Sequence, residues 1–79
     1  MVTVLRGDGL RVVIFANDHA PAHVHVFGDG QTKINLGGRG GTVELVWAEA
    51  ATRAEVRLAM RLVEAHRDEL LMRWRALHG

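Results

Sequence analysis

Eight of the nine glycines in this chain fall in three clusters, Gly7-Asp8-Gly9, Gly28-Asp29-Gly30 and Gly37-Gly38-Arg39-Gly40-Gly41, and no other feature constrains the fold as much. Each cluster separates short runs rich in Val, Ile and Thr, the pattern of tight turns between antiparallel strands. The runs are Val2 to Arg6, Leu10 to Ala16, Ala22 to Phe27, Gln31 to Leu36 and Thr42 to Trp47. They predict a meander of four to five strands, with two or more β-hairpins, over residues 1–47.

The register of the central hairpin follows from the demand that facing residues agree on which side is buried. A turn of Asp29-Gly30 alone would set Val26 against Lys33 and His25 against Ile34, a mismatch on both sides. A loop of Gly28-Asp29-Gly30 instead pairs Val24 with Ile34, Val26 with Thr32 and Ala22 with Leu36. One face is then apolar, and the other carries His23 beside Asn35, His25 beside Lys33 and Phe27 beside Gln31. The same loop length in the first hairpin would pair Val4 with Val12 and Val2 with Ile14.

From Thr52 the period changes. Thr52-Arg53-Ala54-Glu55 reads as a capping box, in which a hydroxyl and a carboxylate satisfy the free backbone donors of a helix start. Val56, Ala59, Met60, Val63, Leu70, Trp74 and Leu77 share one stripe of a helix over 52–78, predicted to lie on the apolar face of the sheet. The expected fold is therefore α+β, one domain over residues 1–79, with one long carboxyl-terminal helix. A helix of roughly 25 residues would be about 37 Å long. Its last turns, with Leu71, Trp74 and Leu77, would then overhang and offer a homodimer contact.

A chain of 79 residues has room for one modest core. Ten Lys and Arg against nine Asp and Glu leave a net charge of +1, so any electrostatic argument for a nucleic-acid partner must be local. With no cysteine, disulfides, thiolate metal ligation and thiol catalysis are excluded. Neither an apolar signal core nor a run long enough to span a bilayer is evident, so a cytoplasmic location with no membrane partner is expected.

Three of the five histidines lie within Asn17-Asp18-His19-Ala20-Pro21-Ala22-His23-Val24-His25-Val26, around the only proline. Alternation puts His23 and His25 on one side of a strand, about 7 Å apart at the backbone. Pro21 restricts the preceding loop and would present His19 to the same spot. Three readings stand. His19, His23 and His25 have the composition of an open zinc or nickel site. Lys33 beside His25 disfavours a cation and favours an anion such as phosphate, so no metal or other cofactor is the preferred expectation. In that case His23, His25 and Lys33, with His19 as substitute, would supply the proton transfers and the cation of metal-independent RNA cleavage. The third reading is a structural or partner-covered cluster. Asp18 would orient an imidazole or serve turn chemistry, and His66 and His78 are expected to pack against the core and to fray.

The order of parts, an amino-terminal hairpin, Asn-Asp-His-x-Pro-x-His-x-His-Val, a further hairpin, and a helix carrying His66-Arg67-Asp68-Glu69-Leu70-Leu71 and Trp74, resembles the small bacterial family known as domain of unknown function 4160. Asp18, His19, Pro21, His23, His25 and Val26 carry the resemblance most specifically. Val2 and Ala22 stand where that family often has proline, and the third turn is unusually rich in glycine. The resemblance implies a toxin-like member of a two-protein toxin-antitoxin module, with a cognate small antitoxin-like protein as partner; RNA as its target is the expectation from the histidines and Lys33.

Further positions suit binding. Arg53, Arg57 and Arg61 repeat at i, i+4 on one helix face, with Glu49, Glu64 and Asp68 as expected ion-pair partners; unpaired, they would form a ridge for phosphate or a protein partner. Arg39 in its glycine loop would contact phosphate. Phe27 beside Lys33, Asn35 and Gln31 would be a stacking platform for single-stranded RNA or the centre of a protein interface. The favoured reading places His19, His23, His25 and Lys33 in the site, supported by Asp18 and Asn35. The alternatives are a non-enzymatic interaction domain and a transition-metal module.

Overall fold

A computed structural model describes residues 2–37 and 39–78, and the side chain of Arg39, expected to contact phosphate, lies outside that description. The strands are β1 (Val2–Gly7), β2 (Leu10–Ile14), β3 (His23–Phe27), β4 (Gln31–Asn35) and β5 (Glu44–Glu49), and two helices follow, α1 (Arg53–Ala65) and α2 (Arg67–His78). The strands form one antiparallel sheet in sequence order, so the fold is the α+β meander that the glycine clusters imply.

The central hairpin has the expected register, with His23 opposite Asn35, Val24 opposite Ile34, His25 opposite Lys33, Val26 opposite Thr32 and Phe27 opposite Gln31. The Leu36 N–H donates to the Ala22 carbonyl and extends the pairing by one step. The first hairpin differs. Its turn is Asp8-Gly9 alone, with φ of 52° and 75°, the two left-handed residues that suit a two-residue turn. Gly7 therefore faces Leu10 and Leu5 faces Val12, in place of Val4. A bulge between Thr3 and Leu5 absorbs the extra residue, so that Val2 still reaches Ile14.

Val12 and Ile14 of β2, Val24 and Val26 of β3 and Ile34 of β4 form the apolar face with Leu36, and α1 covers it with Ala59, Leu62 and Val63. Burying each of the larger side chains contributes about 1.5–3 kcal/mol. The cap at the start of α1 is half of a capping box. Thr52 Oγ accepts from the Glu55 N–H at 3.1 Å, but the Glu55 carboxylate turns to the β3–β4 loop, accepting from Asp29 N–H at 2.8 Å and from Gly30 N–H at 3.1 Å. Gly30 is needed there, because a Cβ would run into the Ala50 backbone.

The long helix is divided. At His66 the backbone leaves helical geometry (φ −118°, ψ 19°), and the His66 Nδ1–H donates to the Leu62 carbonyl, taking the place of the backbone donor of an unbroken helix. Arg67 Nε then donates to the Leu36 carbonyl at 2.6 Å and ties the start of α2 to the end of β4. Because the chain bends, the expected overhang does not form. Leu71 packs partly buried against the core, Trp74 is buried within its own chain, and Leu77 remains exposed. His78 is held as well, stacked on Trp74 with ring centroids 3.7 Å apart. Among the described residues, no helix is long and apolar enough to cross a membrane.

Candidate functional site

Alternation along β3 sends Val24 and Val26 into the core and His23 and His25 to the opposite face. That face is covered by the chain itself. His23 is 4% exposed and His25 9% exposed. The cover comes from aromatic rings: Phe15 meets His25 edge-on at 4.7 Å, Trp47 of β5 lies 5.9 Å from His25, and Trp74 of α2 lies 5.0 Å from His23. The two imidazoles are themselves 5.3 Å apart, closer than their backbones demand.

The loop from β2 to β3 brings Asp18 to these rings. Its N–H donates to the Phe15 carbonyl in a turn, and a cis Ala20-Pro21 bond precedes β3. Asp18 Oδ2 lies 2.8 Å from His23 Nε2 and 3.6 Å from His25 Nε2. On its other side, His23 Nδ1 is 2.9 Å from the Pro21 carbonyl, which can only accept, so Nδ1 carries a hydrogen. The Nε2 lone pair of a neutral His23 then faces a carboxylate oxygen. Two such lone pairs at 2.8 Å require a positive charge between them, and either a proton or a metal ion would supply it.

His25 Nδ1 pairs with the Gln31 side-chain amide at 3.0 Å. As donor, that amide leaves the imidazole hydrogen on Nε2; turned over, it accepts from Nδ1–H and frees the Nε2 lone pair. Burial above all, then the neighbouring His23, hold His25 below the ordinary histidine range of about 6.5; Lys33 adds to this and Asp18 opposes it. A ring kept neutral retains the lone pair that a metal or a proton in transit needs.

One ligand atom from each of Asp18, His23 and His25 lies within 4.8 Å of the others. Metal bonds of about 2.0–2.2 Å put neighbouring ligand atoms roughly 3.4 Å apart around a tetrahedral ion and roughly 3 Å apart around an octahedral one, and the Asp18 distances of 2.8 and 3.6 Å bracket both values. The outer nitrogens of both imidazoles are held by a backbone carbonyl and a carboxamide, the supports that orient histidine ligands. The triad opens into a cleft of about 510 Å³ whose other walls include Lys33, Asn35, Val46 and Trp47.

Residues 9–75 match the family described as Domain of unknown function (DUF4160). The chain belongs to that family. No curated protein and no solved structure matches it. The span shared with DUF4160 contains Asp18, His23, His25, Lys33, Asn35 and Trp74, so the whole triad and its cleft lie inside it.

Among the residues singled out from the sequence of this DUF4160 chain, the structure brings together His23, His25, Asp18, Lys33 and Asn35. His19 is not one of the converging ligands: it is exposed on the cleft rim, because the loop turns Asp18 inward in its place. Asp18, read as a support or a turn residue, is the third member. Phe27 shares the face but stands apart from the triad, with the Arg11 guanidinium 5.3 Å from its ring centre. Arg53, Arg57 and Arg61 are exposed, and among the described residues the expected ion pairs with Glu49, Glu64 and Asp68 do not form; Asp68 pairs with Arg67. Trp47, Trp74 and Gln31 were missed as parts of the site. The pairing of Phe27 with Gln31 carried no sign that its side chain reaches back to His25.

Proposed function

We propose that this DUF4160 protein binds one divalent transition metal through Asp18 Oδ2, His23 Nε2 and His25 Nε2. The observation that carries the reading is the 2.8 Å approach of Asp18 Oδ2 to a histidine whose other nitrogen is already committed to a carbonyl. Two imidazoles and a carboxylate suit zinc, iron, cobalt, nickel or copper, and three protein ligands leave positions open for water or substrate. Asp18 also answers the charge objection raised by Lys33, since a carboxylate in the ligand set supplies the negative charge that three neutral imidazoles lack. The metal content of untagged protein, purified without metal-affinity resin, tests this beside His23→Ala and His25→Ala. About one metal per chain, lost in both variants, is the expected result, and a metal-free protein that also fails to take up zinc or cobalt would sink it.

A second reading keeps a proton in the metal's place. His23 hydrogen-bonded to Asp18, His25 held neutral and Lys33 alongside are the components of acid/base chemistry on a phosphodiester. This is the form in which the protein would act as the toxin-like member of a cytoplasmic two-protein module, cleaving RNA and held by a cognate partner. Cleavage of RNA in excess chelator, lost in His23→Ala and His25→Ala, would favour it.

A further inference from the structure

The cleft in front of the triad is not neutral. Lys33 stands directly opposite His25 in the β3–β4 pairing and Trp47 directly opposite Lys33 in the β4–β5 pairing, so imidazole, ammonium and indole form one row across three strands. Neighbouring strands are about 4.8 Å apart, which keeps the whole row within the span of a small ligand. Asn35 stands opposite His23 in the next row on the same face. A bulge between Lys33 and Ile34 puts Val46 as well as Trp47 on the cleft wall. The ligating atoms therefore come from β3 and its preceding loop, hydrogen-bond donors from β4, and an apolar wall from β5.

We infer that the metal centre binds an oxyanion, the carboxylate or phosphate group of a small organic molecule, with one oxygen on the metal and a second facing Lys33 and Asn35. This rests on the metal reading above. A lysine this near a cation site lowers the site's affinity for the cation when empty and raises it for an anion that follows. That combination makes little sense for a site that only stores metal. It suits one that uses the metal to hold and polarise an anionic ligand. Trp47 would lie against the body of the ligand, away from the charged end.

The test uses the cobalt-loaded protein, whose visible absorption responds to a change of ligand, with inorganic phosphate and oxalate as separate probes. Saturable binding of at least one probe is expected, weakened about tenfold or more in Lys33→Met and largely kept in Lys33→Arg. Phosphate binding the tighter would point to a phosphate ester, and oxalate the tighter to a carboxylate. Cobalt affinity should stay equal or rise in Lys33→Met, a direction that general damage to the fold does not produce. If cobalt binds but neither probe changes the spectrum, or Lys33→Met responds as the parent does, the anion inference fails and the metal centre stands. If the parent protein binds no cobalt, the metal centre fails and this inference goes with it.

Discussion

Asp18 and His23 meet at 2.8 Å across five residues of chain, and the meeting fixes what the His23 ring can do. With Nδ1–H on the Pro21 carbonyl, only Nε2 is free to exchange a proton for a metal. Asp18→Asn keeps the shape and removes the charge. Changes outside the ligand set commonly cost about 10–100-fold in metal affinity, so loss of a charged ligand should cost at least that. Competition with a chromophoric chelator measures it, and an unchanged affinity would remove Asp18 from the ligand set.

The Asp18 relationship was beyond the sequence, because it depends on the path of the loop and not on any period. What could be read was periodic. His23 and His25 share a face since strands alternate, and the Val24–Ile34 pairing followed from matching buried sides. The bulge at Val4 was hidden because Val4 and Leu5 are both apolar, so either could face Val12. The break at His66 was hidden for a related reason: no Gly or Pro marks it, and the stripe from Val63 to Leu70 and Trp74 looks the same in a straight helix or a bent one. Covering His23 with Trp74 is a consequence of that bend. The imidazoles were expected on an open or partner-covered face, and the chain covers them itself.

The lowered pKa of His25 makes the stability of the metal-free protein depend on pH with a definite sign. The unfolded chain takes up a proton at His25 near pH 6.5, whereas the folded protein resists it until a lower pH. Below about 6.5 the unfolded state therefore binds more protons, and stability falls as the pH falls toward the folded value. The ring is faced by His23, Asp18 and Lys33, so the useful quantity is the difference in slope between the parent and His25→Gln. Urea unfolding of both in chelator between pH 5 and pH 7.5 measures it. The slope should be shallower in the variant, and equal slopes would mean that His25 titrates as it does in the unfolded chain.

Glu55 joins the start of α1 to the β3–β4 loop through hydrogen bonds from Asp29 and Gly30, and it is 9% exposed. Hydrogen bonds to a charged group contribute about 1.5–3 kcal/mol, and removing this carboxylate leaves two backbone donors short of an acceptor. Glu55→Ala should therefore lower stability by about 2–3 kcal/mol, with Glu55→Gln between it and the parent. Metal affinity should change far less, since the clamp lies at the opposite end of β3 from His23. A loss below about 0.5 kcal/mol in urea unfolding would show that solvent satisfies those donors as well as the carboxylate does.

His19 separates a metal site built on the sequence motif from one built on the fold. By spacing, His19, His23 and His25 form the obvious ligand set; by geometry, the third ligand is Asp18 and the His19 side chain is exposed at the rim. His19→Ala should leave zinc or cobalt affinity within about threefold of the parent, because an exposed side chain outside the ligand set contributes little binding energy. In the same titration Asp18→Asn should fall by at least about 10–100-fold. Reversed results, with His19 essential and Asp18 dispensable, would mean that the loop swings on metal binding and exchanges a carboxylate for an imidazole. The ligand set would then lose its one negative charge, and the attraction between the loaded site and the anion at Lys33 should strengthen accordingly.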